Sequence, residues 1–168
     1  HMPFEDMGIM RGIPDMVCVE PTDCAMLKSL MPQIVEHKGP VYIRLFRKKT
    51  EKVFEDGAAF DLFKAFTLRK GTDVTIIASG IMVSRALEAA DLLKERGISA
   101  EVINVYTWKP IDEETISKSL AKTGAAVVAE NHNVFNGLTS AVSEVAAKLC
   151  PVPVESVAVK DQFGEVGK

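Results

Sequence analysis

The chain has 168 residues, 47% of them apolar and 26% charged, with 20 lysines and arginines against 23 aspartates and glutamates. Such a composition excludes a disordered chain, and a formal charge of −3 with basic residues gathered only between Arg44 and Lys52 argues against nucleic acid or a membrane surface as main partner. Apolar runs such as Val74 to Ala78 are far too short to span a bilayer and no secretory signal opens the sequence, so a cytoplasmic protein is expected.

In chain order, Phe4 to Arg11 is periodic enough for a helix that runs straight out of a His-x-Pro turn, and Met16 to Glu20 reads as a short buried strand. Thr22 or Asp23 can cap the next helix, whose apolar face is Met26, Leu27, Leu30, Ile34 and Val35. Pro32 removes a backbone donor inside it, so a kink or break is expected at Met31. Val41 to Leu45 is rich in β-branched and aromatic residues and reads as a strand. Lys48 to Phe60 alternates acidic and basic residues without a clean period, so a domain boundary is placed there. The resulting division is residues 1–50, a linker at 51–62, and a second domain at 63–168.

Beyond the linker, strands and helices alternate. Phe63 to Leu68, Val74 to Ala78, Glu101 to Tyr106, Ala125 to Ala129 and Val154 to Val159 read as strands. Helical stripes run from Val83 to Leu93 and from Leu138 to Leu149, and Asp112 opens a third helix with Glu113 and Glu114 in its first turn, where the helix dipole favours negative charge. A strand followed by an amphipathic helix, repeated, predicts an α/β fold with a mostly parallel sheet and helices on both faces. The first 50 residues, with two strands, make only part of such a unit.

Several groups could carry chemistry. Ser79-Gly80 follows a buried strand and precedes a helix, which is where an open α/β sheet binds anions; a plain turn is the competing reading. Glu130-Asn131-His132-Asn133 lies just past a strand: His132 could serve as acid or base, or the loop could serve packing or a subunit contact. Arg44 and Arg47 leave a strand end beside Lys48 and Lys49, and a guanidinium matches phosphate geometry, although such a run also suits a solvated face. Cys18, Cys24 and Cys150 lack the paired spacing of a zinc site and are expected to be buried free thiols.

Taken in order, these fragments resemble the transketolases. His1-Met-Pro-Phe-Glu-Asp6 is similar to that family's Thr-His-Gln-Pro-x-Glu turn; Val19-Glu-Pro-Thr-Asp23, Gly39-Pro-Val-Tyr-Ile-Arg44 and Arg47 continue the likeness. Ser79-Gly80, Trp108-Lys-Pro-Ile-Asp112, Glu130-Asn-His132, Gly137-Leu138 and Lys160-Asp-Gln-Phe-Gly164 resemble the family's C-terminal domain. The resemblance covers nearly the whole chain and is nearest to the C-terminal section of split, two-chain transketolases. It implies that residues 1–50 end a pyrimidine-binding domain and that 63–168 form the transketolase C-terminal domain.

The implied reaction moves a two-carbon ketol unit between sugar phosphates, using thiamine diphosphate and a divalent metal such as magnesium, in a pentose phosphate setting. By the same resemblance His1 contacts the donor sugar near the reacting carbon, Arg47 holds the substrate phosphate, and Arg44 assists it or serves a structural ion pair. His1-Met2 is equally the form of a tag-cleavage remnant. Gln162 stands where many relatives have arginine, so no charge role is carried to it.

The cofactor-activating glutamate and the diphosphate and metal ligands of the family match nothing here, so the chain is expected to bind no cofactor or metal alone, to be inactive alone, and to need an N-terminal section or subunit. A homodimer through the C-terminal domain is also implied. Deoxyxylulose phosphate synthase and the β subunit of 2-oxoacid dehydrogenase E1 are the rival families, and a non-catalytic assembly or regulatory domain is the rival of another class.

Overall fold

Helices and strands are interspersed along residues 3–47 and 49–164, the residues that the computed structural model describes. They are α1 (Asp6–Arg11), β1 (Val17–Val19), α2 (Cys24–Glu36), β2 (Val41–Ile43), β3 (Phe66–Arg69), β4 (Val74–Ala78), α3 (Met82–Glu95), β5 (Ala100–Asn104), β6 (Thr107–Lys109), α4 (Glu113–Thr123), β7 (Ala126–Asn133), α5 (Leu138–Leu149) and β8 (Val154–Val159).

The larger sheet has the order β3-β5-β4-β7-β8, parallel throughout except where β3 pairs antiparallel with β5. Its centre, Val-Thr-Ile-Ile-Ala in β4, is apolar on both sides because both are covered. Ile76 and Ala78 face Val83, Ala86 and Ala90 of α3, while Ile77 joins Ile116 and Leu120 of α4 and Leu138, Val142 and Val145 of α5. Thr75, the polar exception, spends its hydroxyl on Ser119 and Thr123 of α4, 2.7 Å from each. The mostly parallel sheet with helices on both faces is therefore as expected.

The smaller sheet, β2-β1-β6, joins the two halves of the sequence: β1 and β2 are parallel, and β6 returns antiparallel along β1. The sequence reading had no strand at Thr107–Lys109. Three residues are too few to show a period, and the partner lies some ninety positions upstream. Residues 51–62 hold no regular element, yet Phe54, Phe60 and Leu62 are buried with Val19, Met26, Leu30 and Tyr106. Phe54 and Phe60 meet edge to face at 4.6 Å, and Asp23 Oδ2 accepts the amides of Val53 and Phe54 at 2.9 Å each. This segment is thus held by an aromatic core rather than strung loosely between two bodies.

Three local expectations need correction. α1 starts at Asp6, not Phe4. Of the kink or break expected at Met31, the break is not found: α2 runs through Pro32, and Pro32 and Lys28 both lie on the exposed side, where water can serve the carbonyl that the proline leaves without a donor. Finally, β7 continues to Asn133, so Glu130 and His132 stand on a strand and not in a loop. Asp23 and Asp112 cap α2 and α4 as expected, through the amides of Met26 and Thr115 at 3.0 and 3.1 Å.

Candidate functional site

The ends of β1 and β2 meet the N-terminal turn around one side chain, Arg44. Its guanidinium forks to four partners: Nε lies 3.2 Å from Asp6 Oδ2, Nη1 donates to Glu20 Oε1 at 2.7 Å and to the Asn131 carbonyl at 2.9 Å, and Nη2 donates to the Pro3 carbonyl at 3.0 Å. The Arg44 and Glu20 side chains are only 10% and 7% exposed. Tyr42 donates its hydroxyl to Asp6 Oδ2 at 2.8 Å, and burial together with that bond pushes the phenol up to about 12. Arg44 is therefore held in an ion-pair network within the protein.

The same network occupies the turn after β4. Ser79 Oγ donates to Glu20 Oε2 at 2.5 Å, and Gly80 takes φ +51° with so little room that a Cβ there would lie 2.7 Å from Glu20 Cδ. The turn that could have held an anion is filled by the protein's own carboxylate. Sequence reasoning gave Glu20 no role: nothing in its spacing shows that a strand-end glutamate will face a serine 59 residues downstream.

On β7, Glu130 reaches the start of α5 and accepts the amides of Leu138 and Thr139 and the Thr139 hydroxyl, at 2.6, 2.9 and 2.6 Å. It does from a neighbouring strand what a capping residue does locally, since the Gly137 N-cap has no side chain. Burial pushes the Glu130 carboxyl above its usual range, against the pull of these donors. His132 is fully buried. Its Nε2 accepts the Gly8 amide at 3.2 Å and its Nδ1 lies 2.7 Å from the Asn133 carbonyl, which together require the neutral tautomer protonated at Nδ1. With both nitrogens engaged and Trp108 at its edge, 5.5 Å between ring centroids, His132 fastens α1 to the larger sheet. Close approach is needed here: a Cβ on Gly137 would lie 2.0 Å from Glu130 Oε2, and one on Gly8 would lie 2.9 Å from Asn136 Cβ. Arg11 reinforces the contact through the Asn136 carbonyl at 3.0 Å and Glu144 at 2.8 Å.

Arg47 lies outside this region. It is exposed, and it makes no ion pair among the described residues. Its sequence neighbours Phe46 and Lys49 line a cavity of about 330 Å³ that Pro21, Asp23, Cys24 and Leu45 also border, at the N-terminal end of α2. His1 and Lys48 lie outside the described residues. The structure thus brings Arg44 against the chain two residues after His1, and leaves Arg47 facing solvent.

The three thiols are free as expected, but only one of them is buried. Cys18 is buried, and burial raises its thiol above the ordinary value although Lys109 and Arg11 lie near; Cys24 is exposed and Cys150 half-buried, because α2 turns its first residue outward and Cys150 ends α5. Among the described residues no group of three or more His, Cys, Asp or Glu side chains could hold a metal ion, and no helix is long and apolar enough to cross a membrane.

Comparison with known proteins follows the same geometry. The family model for the transketolase C-terminal domain matches residues 64–168. A 6-deoxy-6-sulfo-D-fructose transketolase subunit, SqwH of Clostridium sp. (strain MSTE9), is 53% identical over 167 residues, covering 99% of this chain and 52% of the relative. A 1-deoxy-D-xylulose-5-phosphate synthase of Desulforudis audaxviator (strain MP104C) is 35% identical over 171 residues, covering 99% of this chain and 27% of the relative. Among solved structures, a split-gene transketolase described as an inactive β4 tetramer matches with a TM-score of 0.95 and 44% identity, over 98% of this chain and 55% of that one. The chain spans about half the length of the transketolase subunits it matches.

Proposed function

The chain belongs to the transketolase C-terminal domain family, and we propose that it is the C-terminal section of a two-chain transketolase that transfers a two-carbon ketol unit between sugar phosphates. The observation that carries this reading is the ordered match over 98% of the chain to a split-gene transketolase, with a TM-score of 0.95. Residues 1–50 end the pyrimidine-binding domain, 51–62 link it, and 63–168 form the C-terminal domain. Thiamine diphosphate, when bound, supplies the electron sink for breaking the carbon–carbon bond beside the ketose carbonyl. The magnesium and diphosphate ligands are assigned to an N-terminal section or partner subunit, as the family likeness implies.

Within that assembly Arg47 takes the substrate phosphate. It is exposed, four residues past the end of β2, and a guanidinium offers two parallel donors to phosphate oxygens. His1 contacts the donor sugar's hydroxyls. The chain is inactive by itself, a reading supported by the inactive β4 tetramer described for its structural relative. A cytoplasmic location, a place in the pentose phosphate pathway and a homodimer through the C-terminal domain rest on the family likeness, and the sulfofructose relative widens the substrate class to other acidic ketoses.

The test is reconstitution. The enzyme assembled with its N-terminal partner and supplied with thiamine diphosphate and magnesium should move a ketol unit from a ketose phosphate to an aldose phosphate. Decarboxylation of pyruvate without ketol transfer would instead favour the deoxyxylulose phosphate synthase reading, which the 35% identical relative keeps in view.

A further inference from the structure

The larger sheet has a crevice of the kind in which open α/β sheets bind ligands. β4 and β7 are parallel neighbours, and the chain leaves them in opposite directions, through α3 to β5 on one side and through α5 to β8 on the other. The carboxyl ends of two such strands form a switch point, where the parting connections leave room for a small molecule. Here that room is taken by side chains from the N-terminal part of the chain. Glu20, after β1, accepts the Ser79 hydroxyl at 2.5 Å through Oε2, at the end of β4, and a Cβ on Gly80 would lie 2.7 Å from its Cδ. Arg44, after β2, donates through Nη1 to Glu20 Oε1 at 2.7 Å and to the carbonyl of Asn131 at 2.9 Å, two residues past the last pairing of β7 with β4. Ser79 is 1% exposed and the Arg44 side chain 10%. A carboxylate gripped at one oxygen by a buried guanidinium and at the other by a buried hydroxyl is held as proteins hold a carboxylate ligand.

We propose that this crevice is a small-carboxylate site kept closed by Glu20, which occupies it as a tethered ligand. Ser79 Oγ and the Arg44 guanidinium are its receptor, and the close approach at Gly80 limits a free occupant to the size of formate or acetate. The tether gives Glu20 an effective concentration of about millimolar or more, so a dilute free carboxylate does not displace it. Filling of the site by a free carboxylate and docking of the β1 end against β4 exclude one another. The site concerns binding alone and is independent of the ketol-transfer reading.

Chemical rescue of Glu20→Ala in the full-length protein tests this, because the variant removes the occupant and leaves the receptor. Loss of one partner of a buried pair should lower the melting temperature by about 6–20 °C. Formate at about 0.1 M should then raise it by about 3–6 °C, as a ligand with a dissociation constant of about 10 mM does. Chloride and benzoate at the same concentration should not, and wild type should not respond to formate. Adding Ser79→Ala to the variant should move the response to about 10-fold higher formate. An equal rise with chloride would overturn the proposal, since ionic strength alone would then explain it. So would a formate response as large in wild type as in Glu20→Ala, or a variant that melts with wild type. If Glu20→Ala does not fold in chloride, its refolding yield in formate decides: a higher yield than in chloride supports the site, and an equal one overturns it.

Discussion

The junction around Arg44, Glu130 and His132 and the strand edge around Arg47 lie close in sequence at one point and differ in almost every physical respect. At the junction three side chains are held by partners within the protein: Arg44 on four acceptors, Glu130 on three donors, His132 with both nitrogens taken. At the edge, Arg47 is exposed beside an open cavity bordered by Lys49 and Lys52. The difference teaches that residue type does not assign the role. A guanidinium already saturated by the protein can only hold something in place, whereas one left in water retains its donors for a ligand.

Substitutions at the junction should therefore be costly to folding, and those at the edge should not. Arg44→Met would leave Glu20 and Asp6 buried without their cation and should destabilise by about 3–5 kcal/mol in urea or thermal unfolding; a cost below about 1 kcal/mol would erase the contrast. Gly137→Ala comes next. A methyl at 2.0 Å from Glu130 Oε2 and 2.7 Å from His132 Nδ1 must displace two buried groups, at about 1–3 kcal/mol. Hydrogen exchange at the Leu138 and Thr139 amides should rise with it, and unchanged protection there would show that Glu130 does not cap α5.

Asp112 sharpens the comparison with a smaller effect and a pH dependence. Burial alone would push its carboxyl up, but the amides of Ala65 and Thr115, the Thr115 hydroxyl and nearby Lys64 outweigh it and hold it below the usual range. A carboxyl lower in the folded than in the unfolded state contributes stability above its unfolded value, about 3.9, and that contribution is lost as pH falls through the folded value. Asp112→Asn should cost about 1–2 kcal/mol near neutrality, and the gap from wild type should narrow as pH falls below about 4. A gap that stayed constant from neutral to acid pH would show that the carboxylate charge is irrelevant. Arg47→Ala should have the least effect on folding, within about 0.5 kcal/mol.

Most of the architecture was legible because it rests on local rules. The β4 run, the stripe of α3, the Asp112 cap and the Pro151 stop all state their element within a few residues. What escaped the sequence depends on distant partners. β6 is a strand only because β1 offers an edge, and the end of β7 is ordered by Phe4 and β8 rather than by its own residues. The packing of the 51–62 segment was not legible, because the aromatic cluster that holds it forms only when Phe66 and Tyr106 arrive. The site was legible to the same degree: the two arginines stood out, but Glu20, Asp6 and Tyr42, which surround one of them and not the other, were given no role by the fragments they stand in.

The most direct test of that separation is the ratio of kcat/KM for a ketose phosphate to kcat/KM for the matching unphosphorylated ketose, measured on the assembled enzyme and its Arg47→Ala variant. Loss of a charged hydrogen bond to phosphate, about 1.5–3 kcal/mol, should lower the ratio roughly 10- to 160-fold while leaving the unphosphorylated ketose nearly untouched. An unchanged ratio, with both ketoses affected alike, would contradict the account and leave Arg47 as part of a solvated face.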